Sequence, residues 1–306
     1  MTSPITSDGS GGGTLAALSS DLASAVERAA AATVRVNARR RLPASGIVWG
    51  AGVILTTDHV IEREEEITVG LPDGREIPAT LAGRDPGTDL AILRADTGLS
   101  PIEQGPLPGV GSLVLAVARP DSEGPQATLG VVSAVAGPAR TWRGGQLDRF
   151  IRSDAVLYPG FSGGPLVDSG GRAIGINSSY LARGSGIAIP VEVAARVAEA
   201  LVSQGRVRRG YLGVSTQPVS LPADSVAKAG GQTAGLLIVR VEPGSASEQG
   251  GMMIGDILIG LGGQPVSDVD DLQRLLSGSV VGKPTPVQVL RGGEPRDLNV
   301  TVGERP

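Results

Sequence analysis

The chain has one histidine, His59, and no cysteine. Chemistry that needs an imidazole therefore has to be built around a single position. His59 lies in Thr57-Asp58-His59-Val60, directly after the apolar run Val53-Ile54-Leu55. Downstream come Thr88-Asp89-Leu90-Ala91 and then Gly160-Phe161-Ser162-Gly163-Gly164-Pro165. A base, a carboxylate and a hydroxyl in that order match one of the three chain orders in which Ser-His-Asp triads are built. A serine hydroxyl is a weak nucleophile at neutral pH and needs such a base within hydrogen-bond reach.

Neighbouring chemistries are excluded by counting. Gly160-x-Ser162-x-Gly164 also satisfies the nucleophile elbow of α/β-hydrolases, but that order needs a histidine after the serine and none follows His59. A Ser-Lys dyad would need a lysine nearby, and the only lysines are Lys228 and Lys283. A His-Glu-x-x-His zinc helix requires two histidines. Without cysteine, thiol nucleophiles and Cys-ligated metals are also out, and no metal or cofactor is expected. A net charge of -4 supplies no basic surface for nucleic acid or anionic lipid.

The elements that would position these residues read mainly as strands. From Thr33 to about Pro190, short β-branched runs such as Val34-Arg35-Val36, Ile67-Thr68-Val69 and Leu113-Val114-Leu115 alternate with turn signals. Asp168-Ser169-Gly170-Gly171 predicts a hairpin returning the strand that follows Ser162. Apolar spacing predicts a helix from Pro190 to Gln204, stopped by Gly205. Upstream, Thr14 to Ala32 reads as an amphipathic helix with Leu15, Leu18, Leu22 and Val26 on one face. From Gly210 to Val302 a second module of strands, with a helix at Val269 to Leu276 capped by Asp268 or Ser267, closes with a hairpin at Gly292-Gly293. At 306 residues two domains are expected: a tail and helix over 1–32, a catalytic domain over 33–205 and a binding module over 206–306. No basic residue precedes Arg28 and no apolar stretch is long enough to span a bilayer, so the chain is expected to be cytoplasmic, without a membrane segment.

Taken together, these motifs resemble the HtrA (Deg-type) serine proteases, a trypsin-like double antiparallel β-barrel followed by a PDZ domain. The carriers are Thr57 to Val60, Leu71-Pro-Asp-Gly-Arg75 through Asp85 to Leu93, Asp154 to Leu166, and Gly210-Tyr-Leu-Gly-Val214. The chain departs from the family in Phe161, where Asn usually precedes the serine, in lacking N-terminal aromatics, and in the near absence of a long insertion before the histidine.

The resemblance implies roles residue by residue. Ser162 is the expected nucleophile, His59 the base and Asp89 its orienter, with the backbone amides of Gly160 and Ser162 as the oxyanion hole. Among the other acids, Asp58 adjoins His59 too closely in sequence to reach the same ring, and Asp85, before Pro86-Gly87, reads as a turn residue. Leu157, Tyr180 and Leu181 fall at the expected substrate pocket. Val156 stands where basic-specific relatives of the fold carry an acid, so the pocket suits small aliphatic side chains. Tyr211, Leu212, Gly213 and Val214 fall at the carboxylate-binding loop of PDZ domains. The implied function is a serine endopeptidase for unfolded protein, in protein quality control. Its implied partners are peptide C-termini and further copies of itself, as a trimer. A non-catalytic peptide-binding or chaperone protein on the same scaffold is the alternative.

Overall fold

The computed structural model describes residues 11–140, 146–181, 186–276 and 280–304. The chain divides into two compact units, 1–206 and 207–306, and is mainly β, as expected.

The first unit holds two closed six-stranded barrels. The first barrel comprises β1 (Thr33–Asn37), β2 (Ala44–Gly50), β3 (Val53–Thr56), β4 (Ile67–Gly70), β5 (Glu76–Asp85) and β6 (Leu90–Arg94). Strands β3 and β6 are the continuous apolar runs of the sequence and lie buried at its centre. They pair antiparallel with Thr56 opposite Ala91. His59, just past the end of β3, and Asp89, just before β6, therefore emerge at the same end of one ladder.

The second barrel is built from β7 (Leu113–Ala118), β8 (Gln126–Ala136), β11 (Phe150–Ser153), β12 (Pro165–Asp168), β13 (Ala173–Ser178) and β14 (Gly186–Pro190). The short pair β9 (Ala139–Arg140) and β10 (Gln146–Leu147) lies between β8 and β11. The hairpin expected at Asp168–Gly171 joins β12 to β13, with Pro165 opposite Ile176. This puts the segment just before β12, which contains Ser162, beside the end of β13.

Helix α1 (Gly11–Ala30) packs on β7 and β12. Its contact lies on the face expected from sequence, but only along the second half of the helix. Ala25, Ala29 and Ala30 are buried against Leu115, Val117 and Val167, with Leu22 and Val26 alongside. Leu15 and Leu18 stay exposed, at 71% and 42%. Small residues let the last turns approach the strands closely, which a leucine at those positions would prevent. The guanidinium of Arg119, itself buried, donates to the carbonyls of Ala30 and Thr33 and so caps the end of α1. Helix α2 (Val191–Gln204) ends, as expected, at Gly205, which has φ of 71°.

The second unit is a sheet in the order β16 (Val214–Ser220), β17 (Ala234–Val241), β18 (Ile257–Leu261), β20 (Pro284–Arg291) and β21 (Glu294–Thr301). The short β19 (Gln264–Pro265) adds to β18, and β15 (Gly210–Tyr211) pairs with β22 (Gly303–Glu304). Leu212, Leu236, Ile238, Leu258, Val287 and Val289 fill the core. Helix α5 (Val269–Leu275) starts at Asp268, whose side chain accepts from the Asp271 N–H. Two short helices, α3 (Ala223–Lys228) and α4 (Ala246–Gln249), escaped the sequence reading.

Candidate active site

His59 and Asp89 are brought together. The Asp89 carboxylate accepts from His59 twice: from the backbone N–H at 2.9 Å and from ring Nδ1 at 2.8 and 3.0 Å. A carboxylate only accepts, so the ring proton sits on Nδ1 and leaves Nε2 free to take a proton. A third donor, the Ser178 hydroxyl, reaches the same carboxylate at 2.6 Å. Asp89 is 2% exposed, and a carboxylate so buried is held only by donors of this kind. Its φ of 58° lies in the left-handed region, where Asp is among the few residues that go. The turn that forces this is set by Asp85, which accepts from the Gly87 and Thr88 N–H groups and the Thr88 hydroxyl. Asp85 is thus the turn residue anticipated. Asp58, fully buried, pairs with Arg84 instead of the imidazole. Burial alone would lower the Arg84 guanidinium, but Asp58 and Glu64 raise it above its ordinary value.

Ser162 opens the other wall. Phe161, the residue before it, is fully buried among Val114, Ala116, Val132, Ile151 and Leu166 in the second barrel. Its ring meets the edge of Tyr158 at 5.8 Å between centroids. Burial of this ring ties the residue before Ser162 into the second-barrel core. Gly163 has φ of +84°, and a Cβ there would lie 2.0 Å from the Ser45 carbonyl oxygen, so only glycine fits. Ser45, which the sequence reading passed over, ties the turn down. Its N–H donates to the Ser162 carbonyl at 3.1 Å, and its hydroxyl donates to the Gly160 carbonyl at 2.8 Å. Its hydroxyl oxygen also accepts from the Arg119 N–H at 2.9 Å. Within the turn, the N–H groups of Phe161, Gly163 and Gly164 all find carbonyl acceptors. Among the described residues, those of Gly160 and Ser162 have none. Two neighbouring free amides can stabilise a developing oxyanion.

Of the pocket residues, Leu157 packs against the second-barrel core and Leu181 is half-buried, whereas Val156 is 53% exposed. Tyr180 lies over the imidazole of His59, centroids 5.3 Å apart and rings inclined by 20°. In the second unit, the Leu212 carbonyl accepts from the Ser247 N–H and the Gly213 carbonyl from the Glu242 N–H. The N–H groups of Leu212 and Gly213 have no acceptor among the described residues. Gly213 has φ of +79°, and a Cβ there would lie 2.3 Å from that of Ser245. Tyr211 donates its hydroxyl to Glu242, and Val214 begins the edge strand β16. Among the described residues no cluster of His, Asp and Glu could hold a metal ion, and no helix is long and apolar enough to cross a membrane.

Residues 44–176 match the trypsin-like peptidase domain and residues 210–302 the PDZ domain. A probable periplasmic serine endoprotease, DegP-like, of Halomonas elongata is 38% identical over 277 residues, covering 88% of this chain and 57% of that protein. Its counterpart in Ectopseudomonas mendocina is 36% identical over 273 residues, covering 86% and 56%. The chain thus spans a little over half the length of these relatives. Their periplasmic names overturn the cytoplasmic expectation, which rested on what the first residues lack, and such a lack does not report a compartment. The HtrA-type protease AlgW with decapeptide superposes with a TM-score of 0.78 at 31% identity, covering 93% of this chain and 99% of that one. A serine endoprotease of Yersinia pestis gives 0.77 at 33% identity, covering 93% and 98%. With both domains in order and the likeness running over the whole of such structures, the chain belongs to the family of HtrA-type serine proteases.

Proposed function

We propose that the protein is a serine endopeptidase that cleaves unfolded protein outside the cytoplasm, and that its PDZ unit captures peptide C-termini. The observation that carries the reading is the Asp89 carboxylate, held by three donors from His59 and Ser178 at 2% exposure. Such an arrangement has one evident chemical use, to fix an imidazole with Nε2 unprotonated and to stabilise it once it takes a proton.

In the proposed reaction Ser162 Oγ attacks the scissile carbonyl while His59 Nε2 takes its proton. The carbonyl oxygen, now negative, receives the Gly160 and Ser162 N–H groups. His59 returns the proton to the leaving amine, and water repeats the sequence on the acyl-enzyme. No carboxylate stands among Val156, Leu157, Tyr180 and Leu181, so the pocket favours small aliphatic side chains over Arg and Lys. In the PDZ unit the free amides of Leu212 and Gly213 complement a terminal carboxylate, and edge strand β16 can accept the peptide as an added strand.

Hydrolysis of unfolded casein by the native chain and by S162A tests the reading. The native chain should degrade it and S162A should not; equal turnover would sink the enzyme and leave the chaperone alternative.

A further inference from the structure

Three consecutive residues at the end of β13 each address a different member of the catalytic group. Ser178 donates to Asp89 at 2.6 Å. Tyr180 stacks on His59. Between them, the Ser179 hydroxyl shares a hydrogen bond with Ser162 Oγ at 2.9 Å, and its N–H donates to the same oxygen at 3.2 Å. Among the described residues Ser162 Oγ makes no hydrogen bond to His59. Ser162 is 4% exposed, so the nucleophile is both covered and turned toward the β13 segment.

We infer that Ser179 is a positioning residue whose hydroxyl competes with His59 for Ser162, holding the nucleophile off its base until bound substrate draws the Ser162 hydroxyl from Ser179 back to the imidazole. The inference rests on the endopeptidase reading. A neutral hydroxyl pair is a weak restraint. The Ser179 N–H remains whatever its side chain, so only the hydroxyl's share is removable. The latch is thus shallow: it lowers the fraction of free enzyme ready to react without blocking it. The bond is replaced once substrate is bound, so the penalty falls on the free enzyme. It should appear in kcat/KM through KM, with kcat nearly unchanged.

The side chain of Ser179 is exposed, so S179A should fold and melt like the native chain. The test is the second-order rate at which a diphenyl phosphonate labels the full chain, read by intact mass. In that step a Ser162 O–P bond forms, phenol leaves, and His59 carries the proton between them. S179A should react about two- to tenfold faster than the native chain, the range for one neutral hydrogen bond. S179T, which restores a hydroxyl, should return to the native rate. S179A reacting at or below the native rate would overturn the latch while leaving the enzyme intact. S179T matching S179A would show that side-chain size rather than the hydroxyl was at work, and would overturn it too. No labelling of any variant would instead remove the endopeptidase reading and the latch with it.

Discussion

Replacing Asp89 with Asn changes one atom and should nearly abolish turnover. In the native site Oδ1 accepts from the His59 N–H, and Oδ2 accepts from Nδ1–H at 2.8 Å and from the Ser178 hydroxyl at 2.6 Å. Asn can keep its oxygen on the His59 N–H, but its amide nitrogen then faces Nδ1. That nitrogen donates, so Nδ1 must become the acceptor and the ring proton moves to Nε2. An Nε2 that already holds a proton cannot take one from Ser162. The Ser178 hydroxyl can still turn to accept, so no buried group is orphaned, and Asn tolerates a φ of 58° as well as Asp does. Stability should therefore change little. The expected loss is about 10⁴ in kcat, or about 5.5 kcal/mol of barrier. Peptide hydrolysis measured beside thermal melting separates the two effects. D89N within tenfold of the native rate at an unchanged melting temperature would refute the tautomer argument.

Phe161 should be worth more as an anchor than as a substitute for Asn. F161A removes a fully buried ring from the second barrel and should cost about 3–5 kcal/mol. Fluorescence denaturation reads this directly, because Trp49 lies in the first unit; a loss below about 1 kcal/mol would contradict the packing account. The isolated 207–306 unit should bind a peptide with a free apolar C-terminus about tenfold or more tightly than its amidated form, since charge-assisted bonds to the Leu212 and Gly213 amides are lost. Equal affinity in a calorimetric titration would remove the carboxylate role. In the same unit, burial pushes the Asp256 carboxyl up, but its paired hydrogen bonds from Arg291 outweigh that and hold it below the ordinary carboxylate range. A carboxyl depressed in the folded state contributes stability that is fully present above its unfolded value of about 3.9 and is lost as pH falls through the folded one. Denaturation of the unit from pH 7 to pH 2 should show that acid loss, and D256N should lack it.

What was legible in the sequence follows from how locally each feature is encoded. His59 and Asp89 flank the apolar runs that become β3 and β6, and antiparallel pairing of those runs brings the two residues to one end. The hairpin at Asp168–Gly171 and the stop at Gly205 were equally readable, because turn chemistry is written in adjacent residues. The supports of the site were not. Ser45, Ser178 and Ser179 are ordinary serines in sequence, and their partners lie 17 to 115 residues away. The face of α1 was legible but its extent was not: Leu15 and Leu18 share the period of Leu22 and Val26, yet only the second half of the helix is covered. Helices α3 and α4 are too short to show a period. Tyr180 was placed at the pocket, yet nothing in its neighbours announces that its ring lies on His59.

The most direct test of the account is to locate the nucleophile. The full chain, treated with a diphenyl phosphonate until casein hydrolysis ceases, would be digested and its modified residue found by tandem mass spectrometry. The account predicts one adduct per chain, on Ser162, appearing in step with the loss of activity. Loss of activity with the adduct on another residue, or hydrolysis persisting after Ser162 is fully modified, would contradict it.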